Sequence, residues 1–316
     1  MPVPVSDPVS GPVSDPVSGP VSDPGQPAMA SPRSGAIRPE GRPQIRPEIR
    51  PEQYALIIGA MKCATTSLFA YLAEHPAIAP STVKEPEFFS RHQGHRHPVA
   101  RYEDLWPDFD PERHRFAMEG STGYTKFHER GAAATIRAHG LRPRLLYIVR
   151  DPFDRIESHY NFMLQDPAWN FGITDPGLVQ TSNYWLFADE FARAFGRENL
   201  LLLDYETLSR DPRAAVNAAC GFLGLEPLAR LAAPEARNVT ELPRSGLERR
   251  LRRLLPDLGR AAPEAVKAPV RRALAALRPD KSKLTPAERA RVKATLAPDM
   301  ARLQAEFGVD VGKWGF

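Results

Sequence analysis

Residues 59–68 carry the residue types that bind a phosphate-like anion. They read Gly-Ala-Met-Lys-Cys-Ala-Thr-Thr-Ser-Leu and lie where an apolar run of strand length passes into a helical pattern. A helix N-terminus presents unpaired N–H groups and the positive end of a dipole. Lys62 adds a positive charge, and hydroxyl donors follow from Thr65, Thr66 and Ser67. This pattern predicts an anion site, with an ordinary strand–helix turn bearing a surface lysine as the alternative.

The same stretch does not match the loop that binds nucleoside triphosphates. That loop needs a second glycine directly before its lysine, whereas Met61 precedes Lys62 here. A kinase would also need a carboxylate placed to hold a metal, and a later apolar run ends in Arg150-Asp151 instead. A kinase is therefore only an alternative enzyme class, and we expect no metal.

Arg150 indicates a second anion site. Asp151 suits an N-cap and Pro152 suits the first helical position, so a helix should begin directly after Arg150. Ligands bind at the carboxyl edge of open α/β sheets, and the arginine fork suits a phosphate. Ser158 lies two turns along this helix and reaches the same anion if the ligand lies alongside. An ion pair for Arg150 and a solvated position for Ser158 are the alternatives.

Between the two predicted anion sites lies Lys84-Glu85-Pro86. The proline favours an extended backbone before it. A glutamate near two anion sites is suited to act as a general base, and a surface charge is its alternative. Three histidines follow, and such a run is typical of a polar substrate loop: His92, His95 and His97.

The elements that position these residues follow from the apolar pattern. Four runs have strand length: residues 54–58, 115–119, 145–149 and 200–203. Their near-continuous apolar character is typical of strands buried on both faces of a parallel sheet. Helical patterns cover residues 64–74, 152–164, 183–195 and about 285–307. The alternation predicts an α/β fold, a three-layer α/β/α arrangement with a central parallel sheet.

Composition divides the chain into a tail and one domain. Of the 33 prolines, 13 precede Gln53, and proline prevents both helix and sheet from propagating. We therefore expect residues 1–53 to be a disordered, Pro-rich low-complexity tail and residues 54–316 to form a single domain. Two cysteines, no apolar run of about 18 residues and no secretory signal favour a cytoplasmic protein.

A basic segment precedes the last predicted helix. Residues 244–283 carry twelve Lys and Arg against four Asp and Glu, although the whole chain has a net charge of only +4. Such a surface attracts an anionic acceptor, the cofactor or an acidic membrane, with a solvated amphipathic helix as the alternative. No base-reading motif supports nucleic-acid binding.

Together these motifs resemble those of sulfotransferases that use 3′-phosphoadenosine 5′-phosphosulfate (PAPS). Residues 59–68 resemble the 5′-phosphosulfate loop of that family. Residues 147–152, with Arg155 and Ser158, resemble its 3′-phosphate motif. Residues 84–89 resemble the segment that carries the catalytic glutamate in the heparan-sulfate-type branch. Residues 119–124 resemble a second segment of the same branch. The resemblance covers residues 54–316 and implies the P-loop-like sulfotransferase fold.

The resemblance also implies a role for each matching residue. Lys62 would neutralise the bridging oxygen of the departing phosphate, Lys84 would orient the sulfuryl oxygens, and Glu85 would take the proton from the acceptor. Some branches of the family use a catalytic histidine, so the three histidines at 92, 95 and 97 are second candidates for the base. The implied cofactor-binding residues are Gly59, Lys62, Cys63, Ala64, Thr65, Thr66, Ser67, Arg150 and Ser158. The acceptor would be a hydroxyl or amine of a carbohydrate, glycolipid or small natural product. A non-catalytic nucleotide-binding protein is the alternative from another functional class.

The sequence departs from the family pattern in three places. Members acting on heparan sulfate often have Lys where Gly120 stands and Pro where Gly123 stands. Their glycine-containing cofactor loop near the C-terminus has no clear copy, and residues 278–283 are the candidate for its place. These differences bear on the acceptor geometry rather than on the family.

Overall fold

The structure of the chain, a computed structural model, describes residues 48–91, 99–166, 168–231 and 281–316. The proline repeats before residue 48 and the three candidate histidines lie outside the described residues. So does the basic segment up to residue 280.

A parallel sheet of five strands forms the centre of the described residues. Its strands are β1 (Tyr54–Gly59), β2 (Ile78–Pro80), β3 (Phe116–Gly120), β4 (Arg144–Val149) and β5 (Leu200–Asp204). They lie side by side in the order β2-β3-β1-β4-β5, and every neighbouring pair is parallel. All residues of β1 are buried, as expected of a central strand with both faces covered. The predicted α/β fold with a central parallel sheet is confirmed.

The described residues form eight α-helices around this sheet. They are α1 (Thr65–Leu72), α2 (Ala132–Ala138), α3 (Pro152–Met163), α4 (Pro176–Gln180), α5 (Tyr184–Phe195), α6 (Tyr205–Arg210), α7 (Pro212–Phe222) and α8 (Pro286–Phe307). Helix α1 contacts α7, whereas α5 contacts α2 and α8. The four helical segments expected from the sequence correspond to α1, α3, α5 and α8.

Helix α8 begins at the predicted capping residue. The Thr285 hydroxyl accepts a hydrogen bond from the Glu288 N–H (3.3 Å), and the Glu288 carboxylate accepts one from the Thr285 N–H (2.8 Å). Farther along α8, Asp299 accepts hydrogen bonds from the N–H groups of Trp185 and Leu186 at the start of α5 (3.0 and 2.9 Å). In the part of the chain that the structure describes, no helix is long and apolar enough to cross a membrane.

Residues 48–53, which were expected to belong to the tail, pack on the folded part. Ile49 and Gln53 are buried, and residues Pro51–Gln53 form a short 3₁₀ helix. The Pro51 carbonyl accepts a hydrogen bond from the Arg142 N–H (2.9 Å). Ordered structure therefore extends before the expected start of the domain at residue 54.

The strand order places a switch point between β1 and β4. After β1 the chain continues towards β2 and β3 on one side, and after β4 it continues to β5 on the other side. Connections that leave in opposite directions open a crevice at the carboxyl edge, where open α/β sheets bind ligands. The Lys62 turn follows β1 and Arg150 follows β4, so both predicted anion sites lie at this crevice.

Candidate functional site

Gly59 shapes the turn that carries Lys62. Its φ is +146°, and a Cβ at this position would lie 2.0 Å from the Thr125 hydroxyl oxygen. That hydroxyl donates a hydrogen bond to the Ile58 carbonyl (3.0 Å). The position therefore accepts only glycine. Its expected contact with a ligand remains a prediction.

The backbone of the turn is strained and held in place. Lys62 and Ala64 have φ values of 70° and 59°, a left-handed conformation that costs a residue with a side chain about 1–3 kcal/mol. Two hydrogen bonds fix the turn: Ala60 N–H donates to the Ile148 carbonyl (2.9 Å), and Cys63 N–H donates to the Ala60 carbonyl (3.2 Å).

The N-terminus of α1 offers donors toward the crevice. Within the described residues, the backbone N–H groups of Thr65 and Thr66 donate no hydrogen bond. Ala64 is the N-cap and has no side chain that could satisfy them. The start of α1 thus retains the donors that an anion at a helix N-terminus would use.

Cys63 lies beneath the turn rather than in the crevice. Its side chain is fully buried, and burial raises the pKa of the thiol to about 12. The thiol is therefore neutral at physiological pH and is not a nucleophile. Any contact of Cys63 with a ligand must come from its backbone.

Lys62 is a partly buried cation beside two other charged groups. Its ammonium nitrogen lies 4.4 Å from the centre of the Phe162 ring. Burial, followed by the Arg150 guanidinium, lowers the pKa of Lys62 to about 8, while Glu85 opposes this shift. The electrostatic influence of both groups indicates that the structure brings Lys62, Arg150 and Glu85 together.

Arg150 joins the two predicted anion sites. Its Nη1 donates to the Lys62 carbonyl (3.2 Å), and its guanidinium lies over the Tyr205 ring at 4.3 Å. Its ion pair with the half-exposed Asp154 is long, at 3.5 Å. Its Nε is buried and has no hydrogen-bond partner among the described residues. A buried, unpartnered donor next to Lys62 suits an anionic ligand.

Ser158 lies on the face of α3 that is directed at the Lys62 turn. Residues four apart share one face of a helix, so Ser158 is aligned with Asp154 and Phe162. Asp154 pairs with Arg150, and the Phe162 ring contacts the Lys62 ammonium. This placement agrees with the expectation that Ser158 lies near the anion site. Its contact with a phosphate remains a prediction.

Arg155 of the predicted 3′-phosphate motif is inside the protein. Its guanidinium is fully buried and donates to the Ser182 hydroxyl (2.6 Å) and to the Leu178 carbonyl. A third contact joins it to His159 Nδ1 (3.1 Å). Arg155 cannot touch a ligand in this position. It ties α3, which carries Ser158, to the segment after α4.

Replacing Arg155 should destabilise the fold. We expect Arg155→Met to lower the free energy of unfolding by about 3 kcal/mol, because Ser182, His159 and the Leu178 carbonyl lose their buried partner. Urea unfolding followed by circular dichroism measures this change. Arg193→Met is the matched control, since the Arg193 side chain is 76% exposed and its surface ion pair contributes little. A loss below about 1 kcal/mol for Arg155→Met would contradict this role.

The candidate base lies at the carboxyl end of β3. Glu85 N–H donates to the Gly120 carbonyl (2.9 Å), and the Glu85 carboxylate accepts from the Thr122 hydroxyl (3.4 Å). Lys84 forms an ion pair with the same carboxylate oxygen at 2.8 Å. The structure thus pairs the Lys84 ammonium with the Glu85 carboxylate. Contact of Lys84 with sulfuryl oxygens remains a prediction.

Two buried carboxyl groups near Glu85 are not among the site residues predicted from the sequence. Glu87 and Glu119 are both 0% exposed. Burial raises the pKa of Glu119 to about 7 and raises the pKa of Glu87 as well. Glu87 lies two residues after Glu85, within the segment 84–89 that resembles the one carrying the family's catalytic glutamate. The residues around Glu87 show no alternation of apolar and polar types that would predict a buried side chain at this position.

The segment before α8 docks on α3 beside the site. Ser282 and Asn161 exchange two hydrogen bonds of 2.9 Å, and Leu284 N–H donates to Glu157 (3.1 Å). Lys281 is close enough to contribute to lowering the pKa of Lys62. Residues 281–284 therefore lie beside the Lys62 turn. That residues 278–283 take the place of the cofactor loop remains a prediction, and residues 278–280 lie outside the described ranges.

Possible metal ligands do not cluster in the described residues. Within residues 48–91, 99–166, 168–231 and 281–316, no three His, Cys, Asp or Glu side chains converge as metal ligands would. The charged groups at the crevice are instead Lys62, Arg150 and the Lys84–Glu85 pair. Their chemistry suits an anionic ligand.

Comparison with known proteins identifies the family of the chain. A family model described as "Sulfotransferase domain" matches residues 52–239, which is more than half of the chain. Bifunctional heparan sulfate N-deacetylase/N-sulfotransferase 4 from Mus musculus is 28% identical over 196 residues, which cover 54% of this chain and 22% of the relative. Heparan sulfate glucosamine 3-O-sulfotransferase 3B1 from Mus musculus is 31% identical over 188 residues, with coverage of 54% and 46%. The chain thus spans less than half the length of either relative.

A solved structure shares the fold. The sulfotransferase from Alicyclobacillus acidocaldarius superposes with a TM-score of 0.58 at 23% identity, over 85% of this chain and 100% of that chain. At this identity the likeness concerns the fold alone. It agrees with the α/β fold and its central parallel sheet.

Proposed function

Because the chain belongs to the sulfotransferase domain family, we propose that it transfers a sulfuryl group from PAPS to an acceptor hydroxyl or amine. Family membership confirms the assignment made from the motifs. The acceptor is a carbohydrate, a glycolipid or a small natural product. The observation that carries the proposal is the 3.2 Å hydrogen bond from Arg150 to the Lys62 carbonyl, which joins two cationic groups at the switch point of the sheet.

The residues at the crevice fit the charges of such a donor. The donor, when bound, supplies the sulfuryl group and a phosphate that departs. Lys62 and the N–H and hydroxyl groups at the start of α1 hold the phosphate end next to the sulfuryl group. The unpartnered Nε of Arg150 and the hydroxyl of Ser158 hold the 3′-phosphate.

Glu85 acts on the acceptor. Its carboxylate takes the proton from the acceptor hydroxyl or amine, while the acceptor atom forms a bond to sulfur and the bond from sulfur to the phosphate oxygen breaks. Lys62 compensates the negative charge that develops on that oxygen. The lysine and the helix dipole supply this compensation from groups that are already in place.

Binding of the product nucleotide tests the proposal. We expect adenosine 3′,5′-bisphosphate at about a hundred times its Kd to stabilise the protein by about 2.7 kcal/mol, which raises the Tm by several degrees. Adenosine 5′-monophosphate lacks the 3′-phosphate and should produce a clearly smaller rise. An unchanged Tm with the bisphosphate would refute the donor assignment. Transfer of labelled sulfuryl groups to a library of acceptors would then define the acceptor class.

A further inference from the structure

The loop that carries the candidate base has an unusual backbone. Glu85 and Glu87 both have positive φ values, 58° and 53°, on either side of Pro86. Residues with a side chain rarely adopt this conformation, and it persists only where the surrounding structure enforces it. The direction of the Glu85 carboxylate therefore depends on whatever holds the loop.

Glu87 is the side chain that clamps this loop. Its Oε1 accepts a hydrogen bond from the Gly123 N–H (2.9 Å), and its Oε2 accepts one from the Ser90 hydroxyl (2.6 Å). Its own N–H donates to the Ser121 hydroxyl (3.1 Å). Because Glu87 is 0% exposed, these bonds form without competition from water.

Glu119 orients the hydroxyl groups that receive the loop. Its carboxylate accepts hydrogen bonds from Ser121 (3.0 Å) and from the Tyr124 hydroxyl (2.8 Å). The Ser121 hydroxyl in turn accepts a hydrogen bond from the Glu87 N–H (3.1 Å), and the Tyr124 hydroxyl accepts one from the Phe89 N–H (3.4 Å). The loop is thus fastened at two points to the end of β3 through Glu119.

Gly123 leaves the space that Glu87 occupies. A Cβ at position 123 would lie 1.9 Å from Glu87 Oε2 and 2.7 Å from the Ser90 hydroxyl oxygen. A proline at that position would also lack the N–H that Glu87 accepts. Glu87 and Gly123 therefore depend on each other, because the carboxylate needs both the N–H and the free space at position 123.

We propose that Glu87 is a positioning residue for the reaction, which holds the turn at residues 85–87 so that the Glu85 carboxylate faces the crevice. This inference rests on the proposed function, in which Glu85 is the base. Glu87 itself touches no substrate because its side chain is completely buried. Its effect is on the turnover step and not on binding of the donor.

A double-mutant cycle tests the proposal with Glu87→Ala, Gly123→Ala and the double variant of the full chain. We expect each single variant to lower kcat at least about tenfold, with the acceptor KM and the affinity for adenosine 3′,5′-bisphosphate changed less than about twofold. The double variant should be no slower than the slower single variant, because removing Glu87 also removes the clash with the new methyl group. Multiplicative losses in the double variant would overturn the proposed dependence.

Two conservative variants keep the test decisive if Glu87→Ala does not fold. Glu87→Gln retains an oxygen that accepts the Gly123 N–H, so we expect its kcat within about threefold of the wild type. Glu87→Asp is shorter by one methylene and cannot reach both partners, so we expect a tenfold loss or more at an unchanged nucleotide affinity. Equal kcat values in these two variants, or a loss of nucleotide affinity parallel to that of kcat, would overturn the positioning role.

The outcome is distinguishable from failure of the proposed function. If Glu87 has no positioning role, the wild type still binds the bisphosphate and still requires Glu85. If the proposed function is wrong, the wild type shows no bisphosphate binding, or Glu85→Gln retains turnover. These two readouts do not depend on Glu87.

Discussion

Glu85→Gln is expected to lower kcat for sulfuryl transfer by about a thousandfold. The amide has nearly the shape of the carboxylate and can still accept the hydrogen bond from Thr122, but it cannot take a proton from the acceptor. Binding of adenosine 3′,5′-bisphosphate should change less than about threefold, because the nucleotide contacts are assigned to the Lys62 turn and Arg150. Steady-state kinetics with labelled donor and the ligand-induced rise in Tm measure the two quantities.

A matched substitution on the surface separates this effect from a general one. Glu112 is exposed, and Glu112→Gln should leave kcat unchanged. Retained turnover in Glu85→Gln would place the base elsewhere, with His92, His95 and His97 as the next candidates. Retained nucleotide binding without any turnover of the wild type on any acceptor would instead favour a non-catalytic nucleotide-binding protein.

Lys62→Met is expected to lower kcat by about a hundredfold to a thousandfold at saturating donor. Removing one preorganised group that stabilises developing negative charge, as in an oxyanion hole, costs about 2.7–4 kcal/mol, and we expect a loss of the same order for Lys62. Methionine preserves the contact with Phe162 but carries no charge. Lys293→Met, on the exposed side of α8, is the control and should retain full activity. Undiminished kcat in Lys62→Met would remove its role at the leaving group.

The dependence of nucleotide affinity on pH gives a second signature of Lys62. Its pKa of about 8 in the unliganded protein means that the ammonium is charged below that pH and loses its proton above it. Only the charged form attracts a phosphate, so wild-type affinity for the bisphosphate should fall as the pH rises from about 7 to about 9.5. Lys62→Met should bind more weakly than the wild type at pH 7, lack this decrease, and approach the wild-type affinity at pH 9.5.

Most of the fold could be predicted because its long elements carry clear periodicity. The strands β1, β3, β4 and β5 and the helices α1, α3, α5 and α8 lie within one or two residues of their expected positions. Strand β2 has only three residues and includes Pro80, so it shows no strand pattern. Its place at the edge of the sheet is defined by pairing with β3, a contact between residues distant in sequence.

The site could be predicted where one short segment supplies both the charge and the backbone that positions it. Lys62 in a strand–helix turn and Arg150 at the end of a strand are such cases, and both lie at the same crevice. Arg155 shows the limit of this reasoning. It shares a motif with Ser158, but the side chain turns toward Ser182, in a segment whose position depends on tertiary packing.

The partnership of Glu87 with Gly123 has a consequence for transplanting loops between relatives. Residues 84–90 moved alone into a homologous host with a side chain at the position of Gly123 would bring the Glu87 carboxylate into collision with that side chain. The two stretches, 84–90 and 119–124, must therefore be exchanged together. Attempts to redirect this scaffold to new acceptors should therefore treat both stretches as a single unit of engineering.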